Sequence, residues 1–214
     1  MAEPRPQRVR NREFQRHRPV HENYVPRNPN PSILAIDPGP PITGIMWYVS
    51  PREFKIYTCS TKNLPEEGKN WIIHANFIRK EIKSLNPEVL VVESGKIYQS
   101  LPSGLPHGMD SLIKFTGFCE WAGLENGGEV IKIPNTQRDY YLKNYVPEGR
   151  IGGLKLERIK QDWTGKGRLS TREVYTFQGV VVSPHERDTI LMLYCYIRKY
   201  LRKDWPFSFG YPVK

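Results

Sequence analysis

The stretch Ile33-Leu34-Ala35-Ile36-Asp37-Pro38-Gly39-Pro40-Pro41-Ile42-Thr43-Gly44 decides how this chain is read. Four consecutive apolar residues are the pattern of a strand buried on both faces, and the Pro/Gly run after Asp37 stops it. The strand therefore ends on a carboxylate in a tight turn. Outward from it, residues 44–49 and 53–59, separated by Ser50-Pro51-Arg52, continue as a meander of three antiparallel strands. Over residues 66–85, Trp71, Ile72, Ala75, Ile78, Ile82 and Leu85 recur at spacings of one, three and four, the signature of an amphipathic helix. Val89-Leu90-Val91-Val92-Glu93 is then a second apolar strand ending in a carboxylate. A crossover helix between two such strands implies a parallel pair and an α/β fold.

The remaining punctuation is uneven. Residues 94–108, rich in Ser, Gly and Pro, read as a loop, 109–124 as a helix, 129–133 as a strand, and 136–145 as a helix capped by Asn135. Residues 147–168 show no assignable period, and 169–182 fit helix and strand equally. Pro184 opens a closing helix whose apolar face carries Ile190, Leu191, Leu193, Tyr194, Ile197 and Leu201. No internal repeat is visible.

Composition narrows the function classes. At 214 residues, with 38% hydrophobic and 25% charged residues, the chain has room for one domain with a real core. Its 32 Lys and Arg against 22 Asp and Glu give +10, which points to a polyanionic partner, nucleic acid before an acidic membrane surface. No apolar run is long enough to span a bilayer and no signal-peptide core is present, so a cytoplasmic protein is expected. Three widely spaced cysteines, Cys59, Cys119 and Cys195, without any CxxC or Cys/His cluster, read as reduced core residues. Residues 1–32 differ from the rest, with seven Arg, no Lys, three Glu and six Pro. They read as a basic disordered tail, either a solvated leader or a DNA-binding arm. Their prolines and acids disfavour a mitochondrial transit peptide.

Asp37 and Glu93 end two central strands, and His185 and Asp188 begin the closing helix on the same side of this scheme. A lone strand-end carboxylate is usually a cap. Two on adjacent parallel strands are unfavourable without a counter-cation, at an edge where α/β sheets bind ligands.

Together, Asp37-Pro38-Gly39-x-x-x-Thr43-Gly44, an apolar strand ending in Glu93, and a last helix beginning His185-x-x-Asp188 resemble the RuvC family of Holliday-junction resolvases. Gly165-x-Gly167 is similar to the family's GxGxA region, with Leu169 where Ala is common. The resemblance spans about residues 33–201. It implies an RNase H-like mixed five-stranded sheet, first three strands antiparallel, flanked by helices, in a nuclease domain over residues 33–203 followed by an extension over 204–214. It further implies a homodimeric, metal-dependent endonuclease that resolves four-way DNA junctions, in a bacterial or phage-infected cell. The implied metal ligands are Asp37, Glu93, His185 and Asp188, and most members carry an acid where His185 stands.

Phosphodiester hydrolysis by two divalent cations suits these residue types, because hard cations such as Mg²⁺, or Mn²⁺ in its place, want oxygen ligands. Asp37 would bridge two ions, Glu93 would hold one, and Asp188 with His185 the other. His185 as a general acid/base stays open. Lys96 and Tyr98, after Glu93, and Lys166, Arg168 and Arg172 are candidate DNA contacts. An RNase H-like or flap nuclease and a catalytically silent branched-DNA-binding protein are the alternatives. A sugar-kinase-like ATPase is disfavoured because the short chain lacks a second lobe.

Overall fold

Strand β1 (Ile33–Asp37) is buried along its whole length, four apolar residues followed by the carboxylate of Asp37. It pairs antiparallel with β2 (Ile42–Ser50), and β2 pairs antiparallel with β3 (Glu53–Ser60). On its other side β1 pairs parallel with β4 (Val89–Ser94), which pairs parallel with β5 (Glu129–Pro134). The sheet order β3-β2-β1-β4-β5 is the mixed five-stranded arrangement expected, with its first three strands antiparallel. The computed structural model describes residues 24–39, 42–60, 70–94, 109–162, 164–165, 167 and 169–207.

Side-chain alternation sorts the core into two layers. Leu34, Ile36, Leu90 and Val92 face α1 (Asn70–Leu85) and α2 (Met109–Glu125), where Ile78, Ile82, Phe115 and Cys119 close over them. Ile33, Ala35, Val89 and Val91 face α4 (Pro184–Lys199), flanked by α3 (Asn135–Asn144). Helix α4 is buried from Asp188 through Ile197 because the segment around Trp205 and Phe207 also covers it.

Several boundaries differ from the sequence reading. Residues 24–32 pack against the body: Tyr24 donates to Glu129 Oε2 at 2.8 Å, and Ser32 N and Asn28 Nδ2 donate to Glu88, each at 2.8 Å. Composition hid this because the contacts are polar apart from one tyrosine, Tyr24, whose ring packs on Tyr196 and Tyr200. Trp205 donates to the Gly152 carbonyl at 2.8 Å and Phe207 is buried, so the segment expected as an extension begins inside the core. The unassigned region is a second sheet of β6 (Leu154–Gln161), β7 (Ser170–Phe177) and β8 (Val180–Val182), in that order. Its hairpin carries charges on both faces, so no alternation marked it. Asn135 is the first residue of α3 rather than its cap, and its Oδ1 has no partner.

The two glycines of α2 divide their roles. A Cβ on Gly123 would lie 2.7 Å from Leu90 Cδ2 and 2.9 Å from Val130 Cγ2, so Gly123 lets α2 sit close on the sheet, whereas Gly117 faces open space. Gly123→Ala should lower stability by about 1–3 kcal/mol through overpacking. Gly117→Ala should raise it by roughly 0.5–1 kcal/mol through helix propensity. Urea unfolding of the two variants checks this, and equal shifts would contradict the packing.

Candidate active site

Register brings the strand-end carboxylates together. Ile36 pairs with Val92 across the parallel β1/β4 ladder, so the next residues, Asp37 and Glu93, stand at adjacent strand ends. Because Ile36 and Val92 face α1 and α2, Asp37 and Glu93 turn to the opposite face, toward α4.

The start of α4 is fixed by its own sequence. The Ser183 side chain accepts from Glu186 N, Glu186 Oε2 accepts from Ser183 N at 2.7 Å, and Pro184 occupies the first turn. This capping box sets the phase of the helix, which turns His185 and Asp188 inward. Glu186 is thereby assigned to capping. Gly44 has a matching purpose. A Cβ on Gly44 would lie 2.3 Å from the His185 carbonyl oxygen, while one on Gly39 would lie 2.6 Å from the Ile42 carbonyl oxygen and 3.2 Å from His185 Cε1. Gly44 is thus the seat for the first turn of α4. Thr43 anchors it from beneath, its Oγ1 3.0 Å from Nδ1 of the fully buried His74 on α1.

His185 Nδ1 lies 2.7 Å from Asp37 Oδ2. With Nδ1–H donated to the carboxylate, Nε2 is the ring atom left to bind a cation or exchange a proton. Asp188 Oδ1 accepts from Arg187 Nε at 2.6 Å. Arg138, on the first turns of α3, bridges the two remaining carboxylates. Its NH1 is 2.5 Å from Glu93 Oε2 and 3.0 Å from Asp188 Oδ2. All three acids are nearly buried, with side-chain exposures of 10% for Asp37, 12% for Glu93 and 10% for Asp188.

The electrostatics record a shortage of positive charge. Glu93 is pushed up to about 8, first by burial, then by the charge of Asp37 and a hydrogen bond with it, against the opposing pull of Arg138. Asp188 is also raised, by burial, despite Arg187 and Arg138. The His185 imidazole is raised mainly by its hydrogen bond to Asp37. Two guanidinium groups therefore leave the cluster under-compensated. Among the described residues no group of three or more His, Cys, Asp or Glu side chains is arranged to hold a metal ion as it stands. Arg138 lies between Glu93 and Asp188. The donor set itself, three buried carboxylates and an imidazole, fits a hard divalent cation.

The structure thus brings Asp37, Glu93, His185 and Asp188 into one cluster. Lys96, Tyr98, Lys166 and Arg168 lie outside the described residues. Arg172 lies on β7, cross-strand from Ile159 and toward the hairpin tip. The sequence reading passed over Arg138 and Arg187. Arg138 had a signal: a helix that follows a parallel strand starts at the same sheet edge as Glu93, and its first turns face that edge.

No family model matches the chain, and no curated protein does. Among solved structures, the chain is similar to Thermus thermophilus RuvC at 14% identity and a TM-score of 0.48, covering 78% of this chain and 95% of that one. It is also similar to T. thermophilus RuvC in complex with a Holliday junction substrate, at 12% identity and a TM-score of 0.47, covering 79% and 90%.

The raised groups fix a pH dependence. Glu93 titrates higher in the folded protein than its ordinary 4.5, so its contribution is present below that value and is lost as pH rises toward about 8. His185, raised above 6.5, acts in the same direction. Without divalent cations, stability should fall between pH 5 and pH 8 as Glu93 and His185 lose their protons. Saturating Mg²⁺ should flatten that fall. Urea unfolding across this range checks it, and stability that rises with pH in metal-free buffer would refute the under-compensated cluster.

Proposed function

We propose that this chain is a metal-dependent endonuclease that cuts branched DNA, with four-way junctions as its main substrate. The observation that carries this reading is the convergence of Asp37, Glu93, Asp188 and His185 on one edge of the sheet with more negative charge than its arginines offset. A structural ion-pair network would be balanced, whereas here three carboxylates face two guanidinium groups.

Asp37, Glu93 and Asp188 would hold divalent cations, Mg²⁺ first and Mn²⁺ in its place, with His185 Nε2 as a further ligand or as the group that exchanges a proton. When bound, such cations activate water and neutralise charge developing on the phosphate. Asp37, hydrogen-bonded to His185 and beside Glu93, would be the carboxylate shared between the cations. Arg187, held to Asp188, keeps that carboxylate oriented. On this reading Arg138 would yield Glu93 and Asp188 to a cation and turn to a phosphate oxygen. The +10 charge of the chain supports a nucleic-acid substrate.

Resolution of a four-way junction needs two cuts related by a two-fold axis, which a C2 dimer supplies. Helix α2 offers the surface for it: Ile113, Trp121 and Leu124 are exposed along one stripe, with Gly117 open at its centre. A second copy of α2 packed there would bury that stripe.

The test is cleavage of labelled duplex, flap, four-way and RNA/DNA hybrid substrates with Mg²⁺ or Mn²⁺. The expected result is incision in opposing strands near the crossover. Asp37→Asn should lose cleavage by at least about 10³-fold and still bind DNA, since only the cation site is weakened. His185→Asp should support Mg²⁺-dependent cleavage by supplying a harder ligand. Equal nicking of duplex and junction would reduce the reading to a general nuclease. Junction binding without cleavage under any metal would favour the silent binding protein.

A further inference from the structure

The β6–β7 hairpin has no structural explanation within the fold. Its base is anchored: Leu154 and Phe177 are buried in the core, and Thr176 donates to Glu157 at 2.9 Å. Beyond the base both faces stay in solvent, with residues 155–161 and 169–175 exposed or half-buried and Leu156 45% exposed. A two-stranded ribbon without a covering layer buries too little to be kept for stability. Its composition points outward as well. Residues 154–177 hold six Lys and Arg against three acids. Each acid is engaged inside the hairpin. Glu157 accepts from Thr176, Glu173 pairs with Arg158 at 2.9 Å, and Asp162 accepts from Thr164 N and Gly167 N across the tip.

The ribbon is also coupled to the acidic cluster. The cross-strand pairs Leu156/Tyr175, Arg158/Glu173 and Lys160/Thr171 share one face. At its root the Arg187 guanidinium lies 4.8 Å over the Tyr175 ring, and the same guanidinium holds Asp188 at 2.6 Å. One strip therefore runs from Asp188 through Arg187, Tyr175 and Leu156 to Arg158 and Lys160.

We infer that this hairpin is a DNA-binding arm that enters the major groove of the duplex beside the cut and presents its Tyr175–Arg158–Lys160 face to it. At roughly 3.3 Å per residue, residues 154–161 span about 26 Å, long enough to cross a groove about 12 Å wide that admits a two-stranded ribbon. The Arg158–Glu173 pair is exposed and exchangeable, so its guanidinium can turn to phosphate. Arg187 joins the arm's root to the cluster through one guanidinium, which touches both Tyr175 and Asp188. This inference rests on the nuclease reading for its substrate, but its test reads binding alone.

The experiment compares the wild-type chain with Arg158→Glu/Lys160→Glu and with a variant in which residues 158–173 are replaced by Asn-Gly, which leaves the cross-strand partners Glu157 and Val174 to flank the turn. Affinity for a four-way junction and for a linear duplex is measured over a salt series, with hydroxyl-radical footprints of each complex. The far-UV circular dichroism spectrum and the urea-unfolding midpoint, neither of which depends on metal or DNA, serve as the folding control. Affinity for both DNAs should fall by about tenfold or more. The slope of log K against log salt should shrink by about two in the double variant, one for each phosphate that is no longer neutralised. The footprint on the duplex flanking the crossover should disappear in the shortened one. Unchanged affinity, slope and footprint in a folded variant would overturn the arm while leaving the nuclease reading intact. Weaker binding by the variants, with no cleavage by the wild type, would retain the arm and remove the nuclease. A wild-type chain that binds no DNA would overturn both.

Discussion

Three carboxylates held at one edge of a sheet with too little positive charge around them are the constraint on which the rest of this structure depends. Burial of Asp37, Glu93 and Asp188 costs free energy unless cations meet them, and Arg138 and Arg187 do so only in part. Such a cluster persists only where surrounding packing over-determines it. Here the packing is visible: β1 and β4 are buried on both faces, and the first turn of α4 is seated on Gly44 with no room for a β-carbon. The capping box at Ser183 and Glu186 then fixes where that turn begins.

The layout separates tasks along the sheet. The carboxylates lie at the carboxyl ends of β1 and β4, where open α/β sheets place their ligands. Residues 24–32 dock at the other edge, beside Glu88 and Glu129 at the starts of β4 and β5. The N-terminal segment therefore joins the body at the edge away from the cluster. The α1/α2 layer is left with an apolar stripe, and the α4 layer carries the hairpin, so a second subunit and a duplex would approach from different sides.

Much of this was legible in the sequence, for reasons that differ by element. The strands β1 and β4 announced themselves because residues buried on both faces leave no polar interruption, and their terminal acids followed from position. Gly44 was visible as part of a motif, but its purpose, the seating of His185, required the three-dimensional contact. Arg138 was hidden because a lone arginine on a polar helix looks like any solvated side chain. The hairpin was hidden because strands exposed on both faces carry no alternation for burial to impose. Residues 24–32 looked like tail because their anchoring rests on a few polar contacts and one tyrosine, which composition does not register.

The question that governs all of this is whether the carboxylate cluster takes up divalent cations. Anomalous diffraction from crystals soaked in Mn²⁺ answers it without DNA and without reference to activity. The expected result is anomalous density in contact with Asp37, Glu93 and Asp188, with the Arg138 side chain withdrawn from between Glu93 and Asp188. Well-ordered crystals with no ion at this edge, and with Arg138 still bridging both carboxylates at saturating Mn²⁺, would contradict it and leave the cluster as a structural ion-pair network.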